Sequence, residues 1–189
     1  MRRAIFGGTF DPIHRAHLVV AREAADAFAL DQVLFIPAAN PPHKDAGTPY
    51  EHRYKMVELA CNEDSRFLPS RLEEEARKSY SIYTIELVKE MGGEVFFVIG
   101  ADAFAEIQTW FRWQDVVREV EFIVVTRPGH QYSSPPGARV HRLETVALPV
   151  SSSEIRAALA RGETSAELPK AVAEYIRTNG LYATGPSAA

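Results

Sequence analysis

Glu94–Gly100 reads EVFFVIG, five consecutive apolar residues between a glutamate and a glycine. A run that short and that continuously apolar, rich in Val, Ile and Phe, predicts a strand covered on both faces. Residues 82–91 before it suit a helix, closed by Gly92-Gly93. Working outward, the same alternation recurs. VLFIP (33–37) and EFIVV (121–125) are further buried-type runs. RRAIF (2–6) is a β-rich opening that stops at the turn-forming cluster GGTFDP, RFLPSRL (66–72) supplies a short strand, and VALPV (146–150) reads as the last one. Helices are expected over 14–30, with a stripe of Leu18, Val19, Ala25 and Phe28, over HRYKMVELAC (52–61), around 102–107 and 113–120, and over 152–160 and 169–179. GHQYSSPPG (129–137) reads as a surface loop. Buried strands alternating with helices imply an α/β fold, a Rossmann-like parallel sheet with helices on both faces. Ligands of such sheets bind at the carboxyl ends of the strands, where GGTFDP, PPHK, GAD and RPG would converge.

The 189 residues suit one domain, expected over 1–182 with a disordered tail at 183–189. Lys and Arg total 21 against 25 Asp and Glu, a net charge of −4, which offers no general attraction for nucleic acid or an anionic membrane. A single cysteine excludes an internal disulfide or a cysteine zinc cage, and Cys61, in an apolar helix stripe, reads as core. With no long apolar run and no apolar leader, a cytoplasmic protein is expected.

Several residue groups are suited to phosphate. Gly7-Gly8 after a strand lets backbone N–H groups approach an anion, and Asp11-Pro12 favours helix initiation. His14 and His17, three apart, would share one face of the following helix at its anion-attracting end. Nothing nearby completes a metal ligand set, so the pair reads as phosphate donors. Lys44, in the Pro-rich loop PAANPPHKDAGTP (37–49), is a mobile point charge suited to a polyphosphate. SSSEIR (151–156) puts hydroxyls before a helix and Arg156 in its first turns, a second anion cradle in which one serine would serve as the cap. Asp102 after Gly100 can accept from ribose hydroxyls or cap a helix, and Arg127 sits at another strand end, facing a nucleotide or a loop carboxylate. In QTWFRW, Trp113 reads as core, while Trp110 and Phe111 are candidates for a flat aromatic ligand.

GGTFDPIHRAHL (7–18) resembles the GxFDPxHxGH signature of the nucleotidyltransferase superfamily. PPHK, SYSIYT, GAD, TWFRW, RPG, SSSEIR and the closing VAEYIRTNGLY follow in the order and spacing of its bacterial nicotinate-mononucleotide adenylyltransferase branch, over residues 4–182. Departures are Ala16 for Gly in HxGH, Ser81 and Tyr83 in a stretch usually SYTxDT, and Ser153 for Thr. The resemblance implies a nucleotidyltransferase fold and the reaction ATP + nicotinate mononucleotide → nicotinate adenine dinucleotide + pyrophosphate. It implies ATP contacts at Gly7, Gly8, Thr9, Phe10, Gly100, Asp102, Arg127, Ser152 and Ser153. It further implies acceptor contacts at Arg53, Ser81, Trp110 and Phe111, with main-chain N–H groups near Ser81 and Phe111 taking the nicotinate carboxylate. His14, His17, Lys44 and Arg156 would neutralise charge growing on the phosphates. The attacking phosphate is already ionised near neutral pH, so catalysis reduces to positioning and charge stabilisation. Mg²⁺ is expected with ATP, held by phosphate oxygens and water rather than by protein side chains. The same chemistry on nicotinamide mononucleotide or phosphopantetheine, or a nucleotide-binding regulator without turnover, are the alternatives. The sequence leaves the oligomeric state open.

Overall fold

A computed structural model describes residues 1–42, 47–147 and 150–183. Six strands form one parallel sheet: β1 (Arg2–Gly8), β2 (Gln32–Pro37), β3 (Phe67–Pro69), β4 (Glu94–Gly100), β5 (Glu121–Thr126) and β6 (Arg139–Glu144). Their order is β3-β2-β1-β4-β5-β6, so the winding reverses between β1 and β4. The helices are α1 (Arg15–Ala27), α2 (Tyr50–Cys61), α3 (Ser81–Glu90), α4 (Ala101–Ala105), α5 (Trp113–Glu119), α6 (Ser152–Ala160) and α7 (Lys170–Thr178). A 3₁₀ turn, Ile107–Thr109, joins α4 to α5.

Alternate residues along each central strand feed two separate cores, as a twofold side-chain period requires. Ala4, Val33, Phe35, Phe96, Val98, Ile123 and Val125 pack against α1, α2, α6 and α7. Ile5, Leu34, Ile36, Phe97, Ile99, Phe122 and Val124 pack against α3, α4 and α5. In α1 the buried face runs through Leu18, Ala21, Ala24 and Ala25, with Val19 and Phe28 only half-buried at its flank. Cys61 is buried among these apolar groups, and burial pushes its thiol up to about 12, so it is core.

Three expectations are corrected. β1 does not stop before the glycines: Gly7 and Gly8 pair with Ile36 and Pro37 as the last rungs of the ladder. The sixth strand is RVHRLE, not VALPV. Val146 is 83% exposed, and residues 148–149 lie outside those described. An edge strand is paired on one side only and tolerates charged side chains, so β6 lacks the apolar run that marks β4 and β5. Finally, α1 runs over Arg15–Ala27, shorter than the expected 14–30, and follows Asp11-Pro12, whose peptide bond is cis. The expected tail falls almost wholly at residues 184–189, outside those described. Among the described residues, no helix is long and apolar enough to cross a membrane.

Candidate active site

The carboxyl ends of β1 and β4 lie side by side where the strand order reverses, and two cavities meet over them. The first, about 920 Å³, is walled by the start of α1, by the start of α6 and by Tyr182. The second, about 630 Å³, is walled by Pro41, Pro42, the start of α3, Trp110 and Phe111. Phe6, Gly8, Thr9, Val98 and Gly100 line both, so the strand ends are a shared floor.

The stretch between β1 and α1 has no ladder of its own and is held by distant donors. Arg53 Nη1 donates to Thr9 O (2.8 Å), Arg156 Nη1 to Asp11 O (2.8 Å) and Ser152 Oγ to Pro12 O (2.9 Å). The Tyr182 hydroxyl donates to Asp11 Oδ1 (2.5 Å). Phe10, at φ 49°, turns its ring back over Gly8, where a Cβ would come within 3.1 Å of it. Phe10 therefore fills the Cβ side of Gly8, whose backbone still lines both cavities. The Phe10 ring is buried and meets the His17 ring edge-on at 5.1 Å, so it braces a histidine. Gly7 lines only the second cavity.

His14 is the N-cap of α1 at φ −143°, one residue outside the helix, so the two histidines do not share a helical face. Their rings are brought together by stacking instead, 3.8 Å between centroids at 22°. The His14 N–H donates to His17 Nδ1 (3.2 Å), which leaves the His17 ring proton on Nε2. His14 Nδ1 is buried without a partner among the described residues. Burial lowers His14 to about 4. Burial first, and then the neighbouring His14, holds His17 well below the usual imidazole value. Both are neutral at pH 7 and offer N–H donors rather than charge. At the start of α1, Arg15 N–H binds Glu167 O (2.7 Å) and His17 N–H binds His14 O (3.1 Å).

At α6 the capping serine is Ser151, in a reciprocal pair with Glu154: each backbone N–H donates to the other side chain at 3.2 Å. Ser152 and Ser153, the two expected to hold phosphate, are spared that role and line the first cavity with Arg156. Arg156 Nη2 also donates to Ser153 Oγ (3.3 Å).

Arg53 is the clearest correction. It is 1% exposed and lines neither cavity. Its Nε donates to Thr48 O (3.0 Å) and its Nη1 to the Thr9 and Ala38 carbonyls (both 2.8 Å). It ties the β1–α1 loop to both ends of the β2–α2 loop from beneath, away from either cavity wall. Asp102 and Arg127 are exposed and also outside both walls, although Asp102 lies two residues from Gly100, in the first turn of α4. Lys44 lies outside the described residues.

In the second cavity Ser81 is the first residue of α3, and Trp110 stands edge-on to Phe97 at 6.0 Å. Phe111 is 45% exposed and stacks on Tyr80 at 4.6 Å. Trp113 is half-buried against the core, as expected. Asn40 and Ser79 clasp the loops after β2 and β3: Asn40 N–H donates to Ser79 Oγ (3.1 Å) and Ser79 N–H to Asn40 O (3.0 Å). Glu73 is buried on the same wall and accepts from Thr84 Oγ1 (2.5 Å), with burial raising its carboxyl. Sequence reading missed Glu73, Tyr80, Thr84, Asp11 and Tyr182 as wall residues. For Tyr182 no local signal exists, since its partner is 171 positions away.

A cytidylyltransferase-like family model matches residues 5–158. A Solibacter usitatus protein named "Probable nicotinate-nucleotide adenylyltransferase" is 57% identical over 96% of this chain and 100% of its own length. A Thermus thermophilus relative of the same name is 40% identical over 96% and 100%. The chain belongs to the nicotinate-nucleotide adenylyltransferase family. In fold it is similar to the Plasmodium falciparum nicotinic acid mononucleotide adenylyltransferase solved with NaAD, with TM-score 0.81, 21% identity and coverage of 96% and 97%. A putative nicotinate-nucleotide adenylyltransferase of Vibrio parahaemolyticus gives TM-score 0.71 at 22% identity, covering 98% of each chain.

Proposed function

We propose that this enzyme transfers AMP from ATP to nicotinate mononucleotide, giving nicotinate adenine dinucleotide and pyrophosphate. The observation that carries the reading is the pair of cavities meeting over Gly8, Thr9 and Gly100. One holds two imidazoles, three serines and an arginine, a donor set for polyphosphate. The other holds aromatic walls and the start of α3, a setting for a pyridine ring. A mononucleotide in the second directs its phosphate toward the first. That phosphate oxygen forms a bond to the α-phosphorus of ATP as the bond to the pyrophosphate oxygen breaks. In-line displacement of this kind needs no covalent intermediate.

His17 Nε2–H and Arg156 stabilise charge on the bridging and leaving oxygens, Ser152 and Ser153 bind the phosphates, and Lys44 joins them from its loop. Trp110 stacks on the acceptor ring, and main-chain N–H groups near Ser81 and Phe111 take its carboxylate. Asp102, near the shared floor, accepts from ribose hydroxyls. Mg²⁺ accompanies the triphosphate and, when bound, neutralises part of its charge. Its ligands would be phosphate oxygens and water. The test is pyrophosphate release from ATP and Mg²⁺ with nicotinate mononucleotide, nicotinamide mononucleotide and phosphopantetheine in parallel. Release with nicotinate mononucleotide and formation of the dinucleotide are expected. Faster release with another acceptor, or none with any, overturns the assignment.

A further inference from the structure

We infer that Tyr182, from the C-terminal segment after α7, is a positioning residue of the ATP-side cavity, acting through Asp11. Its ring lines that cavity and its hydroxyl donates to Asp11 Oδ1 (2.5 Å), closing a contact between opposite ends of the chain. Tyr182 adopts φ 64°, a left-handed conformation that a residue with a side chain keeps only when its surroundings hold it there. Thr48 lines the same cavity wall as Tyr182.

The consequence lies in what Asp11 would otherwise do. Asp11 is 5% exposed, and its main-chain oxygen accepts from Arg156 Nη1 (2.8 Å). A buried carboxylate without its own donor seeks a cation, and the Arg156 guanidinium is already bound to the backbone of the same residue. Tyr182 satisfies Oδ1, so Arg156 holds the carbonyl and Ser153 and keeps its place on the cavity wall. Without the phenolic hydroxyl, Arg156 turns to the carboxylate and leaves the phosphate cradle. Tyr182 is absent from the walls of the acceptor cavity, so the effect falls on ATP and not on the mononucleotide.

The inference rests on the adenylyl-transfer reading, and the experiment separates the two. Tyr182→Phe keeps the ring and removes only the hydroxyl. The full-length variant is compared with the parent protein in steady-state kinetics and in direct calorimetric titration with ATP. Expected are a rise of about 5- to 10-fold in both the KM and the Kd for ATP, the scale of one lost hydrogen bond, and a mononucleotide KM within twofold. A purely structural tyrosine would lower Tm and leave the ATP constants unchanged below the melting range. That result overturns the inference, as does an equal rise for both substrates. Asp11→Asn tests the bond from its other end, and in the double variant its effect should not add to that of Tyr182→Phe. If neither single variant folds, the bond is structural and the inference fails. Should the parent protein bind ATP without turning over, the titrations still decide the role of Tyr182, and only the proposed reaction is lost.

Discussion

Substituting His17 removes the donor whose proton the His14 N–H fixes on Nε2. His17→Ala should lower kcat by about 10²–10³-fold with a smaller change in acceptor KM, the scale of losing one preorganised donor. Unchanged kcat in a folded variant removes His17 from the mechanism. Arg53 behaves differently, because its guanidinium is spent on three carbonyls. Arg53→Ala leaves buried acceptors unpaired at about 1–3 kcal/mol each, so the main loss should be stability, read in denaturant melts. A normal unfolding midpoint with a large rise in acceptor KM would restore Arg53 to the binding site. Ala16 lies inside α1, 7% exposed, and lines the first cavity. Its methyl group sits in ordinary helical backbone, so Ala16→Gly should lower stability by roughly 0.5–1 kcal/mol and move ATP affinity by no more than a few-fold. A large gain in affinity would mean that the methyl obstructs the nucleotide.

Elements buried on both faces were legible in the sequence because burial writes itself as an apolar run, and β2, β4 and β5 all carry one. β6 was hidden because Arg139, His141, Arg142 and Glu144 make an edge strand resemble a loop. The motif at 7–18 leads to the first cavity, and Ser152, Ser153 and Arg156, singled out from SSSEIR, line it as well. What remained illegible was long-range. Whether an arginine faces ligand or carbonyl, as with Arg53, depends on where two separate loops meet. The extent of α1 was also illegible in detail, since the side chain that stacks on His17 belongs to the cap and not to the helix. At this scale Trp110 belongs to the turn after α4 and contributes a face common to any pyridine mononucleotide. Trp110→Ala should weaken nicotinate and nicotinamide acceptors together and leave their kcat/KM ratio nearly unchanged. A shifted ratio would assign discrimination to the indole.

Stability of the whole molecule should depend on pH through the histidine pair. His14 titrates near 6.5 when unfolded and about 4 when folded, so between these values the unfolded chain binds more protons. The contribution is complete above pH 6.5 and is lost as pH falls toward 4, up to roughly 3 kcal/mol at about 1.4 kcal/mol per pKa unit. Glu73 acts in the opposite sense, because burial raises its folded value above 4.5 and favours the folded state as pH falls. Thermal melts across pH 4–8 should therefore slope less for His14→Asn than for the parent protein and more for Glu73→Gln. Identical slopes in all three would mean that neither group is held as described. The sheet itself has a further consequence. The ATP-side cavity is walled from the face that carries α1 and α6, and the acceptor cavity from the face that carries α3 and the Trp110 turn, with only the strand ends in common. On the proposed assignment of the two cavities, donor and acceptor preference would thus be set on opposite sides of a partition. A change of acceptor can accumulate in α3, the clasped loops and the turn after α4 while the machinery that handles ATP stays untouched, which makes this fold a chassis on which one half of a reaction can be rewritten at a time.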